Sequence, residues 1–175
     1  MRRIVSIILL SISLHSVVKA EGYPLSEKTL SRAAKRAEKI WKDSKVELEP
    51  VFADHSSPNY SPNDSFFRLS VESTFLGYLV VSSAKGRHDH FEFMMVYTNE
   101  FEVIDLRVLV YRSEYGSQVA SKGWLQQFYG FPPKQAYRYG YDVDALSGAT
   151  YSAKSLTGQI NRINRMVVEL AGSKQ

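Results

Sequence analysis

The chain has 175 residues, 44% of them hydrophobic, 23% charged and 13% aromatic, with no cysteine. This composition fits one globular domain and excludes a long disordered tail, a collagen-like repeat, disulfides, and thiolate metal or iron–sulfur sites, so any chemistry falls to other side chains or a bound cofactor. The formal charge is +4, but Arg2, Arg3 and Lys19 lie in a leader-like segment, and the remainder balances 19 basic residues against 18 acids, which leaves no basic footprint for a nucleic-acid partner.

Met1-Arg2-Arg3 is a positive start, Ile4 to Val18 is apolar but diluted by Ser6, Ser11, Ser13, His15 and Ser16, and Val18-Lys19-Ala20 ends in a small residue. Residues 1–20 therefore read as a cleaved secretory signal, cut before Glu21. An uncleaved anchor is the other reading, although spanning a bilayer takes about 20 apolar residues and this stretch is short and polar for that task. The chain is expected to be exported, to a periplasmic or other extracytoplasmic space, with membrane association as a second option.

Residues 21–65 read as an N-terminal helix and a loop. From Ser26 to Trp41, Leu30, Ala33, Ala34, Ala37 and Trp41 recur at helical spacing, with Lys28, Arg32, Lys35, Arg36 and Lys39 on other faces and Ser26 as the cap. Those basic residues are either a solvated face or a contact for anionic lipid. Phe52 to Ser65 is rich in Asp, Ser, Pro and Asn and leaves little to pack.

From residue 66 onward the pattern turns to strands. Phe66 to Val71, Phe75 to Ser82, Phe91 to Tyr97 and Phe101 to Tyr111 are rich in β-branched and aromatic residues. The breaks at Ala84-Lys85-Gly86-Arg87 and Thr98-Asn99-Glu100 are short enough for hairpin turns. In the last strand Val103, Asp105 and Arg107 alternate with Ile104, Leu106, Val108 and Val110, so one buried face is expected. Trp124 to Tyr129 reads as a short helix ended by Gly130 and Pro132-Pro133. Leu156, Ile160, Ile163, Val167 and Leu170 form one apolar stripe on a C-terminal helix. The expected fold class is α+β: a single domain with an antiparallel sheet and packed helices.

His88-Asp89-His90 places two imidazoles on one side of a strand, an incomplete metal site that an exposed hairpin tip explains equally well. Gly-x-Ser-x-Gly elbows, phosphate-binding Gly-x-x-x-x-Gly-Lys loops and Gly-x-Gly-x-x-Gly fingerprints are all missing from the sequence. The segment from Asp142 to Leu156 stands out because it gathers small and hydroxyl residues just before the strongest helical pattern. Two readings fit it. Thr150 or Ser152 caps the helix with Gly148 turning the chain, or a hydroxyl here carries a phosphate held by the unpaired N–H groups and the positive end of the dipole.

Asp144-Ala145-Leu146-Ser147-Gly148-Ala149-Thr150 resembles the Asp-x-x-Ser/Thr-Gly-Ala-Ser/Thr signal of FMN-binding domains, a family that includes the NqrC and RnfG subunits of electron-transport complexes. Gly77-Tyr78, Leu106 to Gly116 and Trp124 to Phe131 resemble that family's strand, glutamate-glycine loop and aromatic-glycine segment in the same order, so the likeness runs over roughly residues 76–165. The family loop reads Glu-Thr-Pro-Gly, where this chain has Glu114-Tyr115-Gly116-Ser117.

The resemblance implies an FMN-binding domain over 66–175, with FMN carried covalently on Thr150 after transfer from FAD by an Mg²⁺-dependent ApbE-type flavin transferase. It further implies an electron carrier, without a substrate of its own, between a membrane reductase and an extracytoplasmic acceptor. Gly148 and Ala149 then keep the approach to Thr150 clear, Asp144 serves recognition by the transferase, and Ser147 and Ser152 hydrogen-bond phosphate or ribityl oxygens. Lys154 either pairs with the phosphate or stays solvated, and the likeness extends to Glu114 and Gly116. Tyr115, Trp124, Phe128 and Tyr141 are available to build a flat slot for the ring, each with ordinary core packing as its alternative. Two rivals remain open: a module that binds flavin reversibly, and a secreted structural domain without cofactor.

Overall fold

The computed structural model describes residues 25–42, 45–51, 53–130 and 136–172. The leader-like segment, Phe131 and the Pro132-Pro133 pair lie outside these residues. Helix α1 spans Glu27–Ile40, and the Ser26 hydroxyl accepts from the Thr29 N–H, as its capping role requires. Strands β1 (Glu47–Val51), β2 (Ser65–Val71), β3 (Thr74–Lys85), β4 (His90–Thr98) and β5 (Val103–Val110) follow in order. A short helix α2 (Lys122–Leu125) runs into a 3₁₀ turn at Gln126–Phe128, and α3 spans Thr150–Gly172. Among the described residues no helix is long and apolar enough to cross a membrane.

The five strands form one antiparallel meander in the order β1-β2-β3-β4-β5. Strand β1, Glu-Leu-Glu-Pro-Val, alternates only briefly, with Leu48 between Glu47 and Glu49, before Pro50 breaks the pattern. It survives as an edge strand, where Pro50 opposite Phe67 interrupts the ladder at least cost. The expected strands are present with shifted ends: β3 runs on through Ala84 and Lys85, expected in the turn, while Phe101 belongs to a turn, with φ of 67°, and β5 spans Val103–Val110.

Both faces of this sheet are covered, so the buried side of β5 is not a single face. One face, with Leu69, Leu79, Val81, Met94 and Val96, packs on Ala33 and Ala37 of α1. The opposite face, with Phe66, Val80, Phe93, Met95, Tyr97 and Leu106, receives the α3 stripe. Leu156, Ile160, Ile163, Val167 and Leu170 are all buried there, and burying each such side chain stabilises by about 1.5–3 kcal/mol. Central strands buried on both sides explain why β3 and β4 are nearly continuous apolar runs.

The polar loop before β2 packs more firmly than its composition suggests. The fully buried Asp64 side chain receives two hydrogen bonds from the Arg162 guanidinium, at 2.6 and 2.9 Å, and one from the Ser82 hydroxyl at 2.6 Å. Arg162 also donates to the Asn59 carbonyl, and Ser57 and Asn59 donate to Glu169. The loop is thereby fixed along α3 by charge-assisted bonds where apolar contacts are few.

Candidate functional site

Helix α3 starts with an unusual terminus. The Ala149 carbonyl accepts from the Ala153 N–H, so alanine occupies the capping position and offers no side-chain acceptor. The Thr150 hydroxyl donates back to the Leu146 carbonyl at 3.1 Å. The Ser152 and Tyr111 hydroxyls lie 3.1 Å apart, and because Tyr111 gives its one proton to the Tyr115 carbonyl at 2.8 Å, Ser152 is the donor to Tyr111. Neither hydroxyl acts as the cap expected from the sequence. Among the described residues no side chain accepts from the first three helical N–H groups, so this end of the dipole stays uncompensated.

These residues border a cleft of about 390 Å³ where three segments converge. The β3–β4 turn contributes Arg87, the loop after β5 contributes Tyr115 and Gly116, and the helix start contributes Gly148 to Ser152. Gly116 has φ of +85°, and a Cβ there would meet the Tyr111 hydroxyl at 2.7 Å and the Ser152 Oγ at 3.4 Å. Glycine is therefore required both for conformation and for the close approach of loop to helix. Gly148, with φ of +77°, turns the chain into α3 as the sequence led us to expect.

Arg87 is the one charged residue lining the cleft, and it makes no ion pair among the described residues. Tyr115 and Tyr151 both border the cleft and are 69% and 51% exposed. The loop is tied to the sheet just upstream, where Arg112 donates to buried Glu92 at 2.6 Å and Thr29 of α1 donates to the same carboxylate.

The structure gathers only some of the residues singled out from the sequence. Gly116, Gly148, Ala149, Thr150 and Ser152 line the cleft together. Asp144, Ser147, Glu114 and Lys154 are exposed and outside its lining. Asp144 is held by its backbone, with its carbonyl accepting from the Trp124 indole and its N–H donating to Gln127. The Lys154 ammonium lies 5.8 Å from the centre of the Tyr139 ring.

Of the aromatics proposed for a slot, Trp124 and Phe128 are core residues that pack edge to face, and Tyr141 is exposed near Arg138. Tyr115 alone of the four borders the cleft. Sequence reasoning misses Arg87, because nothing in the local spacing couples a hairpin turn at residue 87 to a helix start at 150; Tyr111 and Tyr151 lie in or beside segments that the sequence marks, but their places at the cleft show only in the fold. Among the described residues, no group of three or more His, Asp or Glu side chains is gathered to hold a metal, and His88 sits exposed in the turn.

A larger cleft of about 500 Å³ lies between the 53–58 loop and the end of α3. Its lining includes the Asp54 and Glu169 carboxylates and no cation, so it disfavours an anionic ligand. The Asp54 carboxyl is held below its usual range by bonds from the Ser56 N–H and hydroxyl, which keeps that charge in place.

No family model and no curated protein sequence matches this chain. Among solved structures, the crystal structure of Shewanella oneidensis NqrC matches with a TM-score of 0.55 at 15% identity, over 83% of this chain and 95% of that one. The chain thus has an NqrC-like fold: a single α+β domain whose C-terminal helix follows the Thr150 segment.

Proposed function

We propose that the chain is an exported electron carrier that holds FMN covalently through a phosphoester on Thr150. The observation that carries this reading is the placement of Thr150, an exposed hydroxyl at the border of a cleft whose one charged lining group is Arg87. The motif resemblance and the NqrC-like fold support it from independent directions.

The cleft suits the group on three counts. Its volume falls in the usual range for small-ligand sites, about 300–1,000 Å³. A cation and uncapped helix N–H groups border the point where a phosphate would be attached. Tyr115 and Tyr151 offer exposed aromatic faces beside it. FMN, when bound, supplies one- and two-electron transfer, while the protein sets position and solvent access.

An ApbE-type transferase makes this attachment from FAD. The Thr150 oxygen forms a bond to the FMN phosphorus of FAD, the pyrophosphate bridge breaks, AMP leaves with the bridging oxygen, and the hydroxyl proton passes to solvent. The Thr150 hydroxyl gives up its bond to the Leu146 carbonyl in the process, since an ester oxygen has no proton to donate. Arg87 and the first N–H groups of α3 then neutralise the phosphoester. Covalent attachment also removes the dependence on free flavin, which is scarce outside the cytoplasm. The partners in this reading are the transferase, a membrane reductase as donor and an extracytoplasmic acceptor.

The test is co-expression with an active transferase, followed by denaturation. Yellow colour that stays with the wild-type polypeptide and is missing from Thr150→Ala supports the proposal. Colour released by denaturation favours the reversible module, and a colourless product favours the structural domain.

A further inference from the structure

The net positive charge of this protein is concentrated on α1 and the residues just after it. Residues 26–45 hold seven Lys and Arg against three acids, whereas the rest of the chain after residue 20 holds twelve against fifteen. On α1, Lys28, Arg32, Lys35 and Lys39 follow at steps of four, three and four, and all are exposed, with Lys42 exposed just past the helix end. This is one exposed stripe about 17 Å long on α1, apart from the buried Ala33 and Ala37. None of the four lysines forms an ion pair among the described residues, and Arg32 alone is engaged, donating to the Leu109 carbonyl at 3.0 Å.

We infer that this stripe docks the protein on an anionic phospholipid surface. Two observations favour lipid over an acidic protein. Protein interfaces draw on aromatics and arginine and are depleted in lysine, but this stripe is mostly lysine, and the large exposed hydrophobics, Tyr115, Tyr141 and Tyr151, all lie elsewhere. Lipid headgroups are attracted by such charge alone, without an apolar centre. The apolar stretch from Ile4 to Val18 also lies only eight residues upstream of Glu27, so while it rests in a bilayer α1 stays within about 28 Å of the surface.

Docking through α1 leaves the cleft accessible. Helix α1 covers one face of the sheet, α3 covers the other, and no residue lining the cleft belongs to α1. The residues that line the cleft therefore stay uncovered when α1 meets the lipid. This inference goes beyond the flavin reading and does not depend on it.

The test uses the full chain in co-sedimentation with vesicles of phosphatidylcholine, alone or mixed with phosphatidylglycerol, without flavin or transferase. Wild type is compared with Lys35→Gln/Lys39→Gln and with a control of equal charge, Lys85→Gln/Lys122→Gln. Glutamine keeps helix propensity, and circular dichroism confirms that each variant is folded. The expected result is stronger binding to the anionic vesicles, lost at high salt, and weakened about fivefold for each stripe lysine removed but little changed in the control. Equal binding to both vesicle types, or equal loss in stripe and control variants, overturns the inference.

Discussion

The Ser152 hydroxyl donates to the Tyr111 hydroxyl across 3.1 Å, and the Tyr111 hydroxyl donates in turn to the Tyr115 carbonyl at 2.8 Å. This short chain links the first turn of α3 to the loop after β5, so it sets the width of the cleft between Thr150 and Gly116. Removing its middle member, Tyr111→Phe, takes the acceptor from the part-buried Ser152 hydroxyl and leaves the Tyr115 carbonyl to solvent. The expected cost is about 0.5–1.5 kcal/mol in chemical denaturation, together with a lower flavin-loaded fraction at limiting transferase. Unchanged stability would show that the chain is not fixed in solution.

Gly116→Ala tests the same contact from the loop side. A methyl there must enter the left-handed region and approach the Tyr111 hydroxyl at 2.7 Å. Loss of about 1–3 kcal/mol is expected, read as a lower denaturation midpoint. By contrast Gly130→Ala, at φ of +71° with open space around it, should show only the smaller conformational cost.

Arg162→Ala leaves the fully buried Asp64 carboxylate without its bidentate partner. Breaking a buried pair from one side costs about 3–5 kcal/mol, so this variant should lose a large share of the stability of the domain. Equilibrium unfolding of Arg162→Ala beside Arg165→Ala, which removes a single bond to the Asn59 side chain, separates the buried pair from a general effect of losing arginine on α3.

Acid sensitivity should centre on Asp105. Burial raises its carboxyl pKa, but the hydrogen bond from Arg36 at 2.8 Å, the Arg107 and Arg36 charges and the Tyr129 hydroxyl outweigh it and hold the group below the usual carboxylate range. A carboxyl depressed in the folded state contributes fully above its unfolded pKa, about 3.9, and loses that contribution as pH falls through the lower folded value. Wild type should exceed Asp105→Asn in thermal stability near neutrality, with the gap closing below about pH 4. A gap that persists into strong acid would contradict this account of the Arg36–Asp105 pair.

Arg87→Ala addresses the site without touching the core. The residue is exposed and makes no ion pair among the described residues, so stability should change by no more than about 0.5 kcal/mol. Flavin loading at limiting transferase should fall, and Arg87→Lys should recover part of it, because charge matters here more than a planar fork. Equal loading of all three proteins would remove Arg87 from the site.

Much of this fold is legible in local pattern. The α3 stripe, the Ser26 cap of α1 and the β2–β5 strands each follow from spacing that the chain itself displays. Strand β1 escapes such reading because its charged residues and Pro50 are tolerable only at a sheet edge, a fact of topology. The firmness of the 53–64 loop is hidden for a similar reason, since Asp64 and Arg162 meet across 98 positions of sequence. At the site, the Ser147-Gly148-Ala149-Thr150 run marks the helix start, but Arg87 and Tyr111 join it only through sheet geometry. The hydroxyls themselves mislead local reasoning, because Thr150 bonds backward to Leu146 and Ser152 sideways to Tyr111, where propensity alone expects a cap.

The most direct measurement is the mass of the peptide that contains Thr150, isolated after the chain has been produced beside a competent ApbE-type transferase. The account predicts a gain equal to FMN less one water, located on Thr150, kept in Thr150→Ser and missing from Thr150→Ala. An unmodified Thr150 peptide under those conditions, or an adduct that persists in Thr150→Ala, contradicts it.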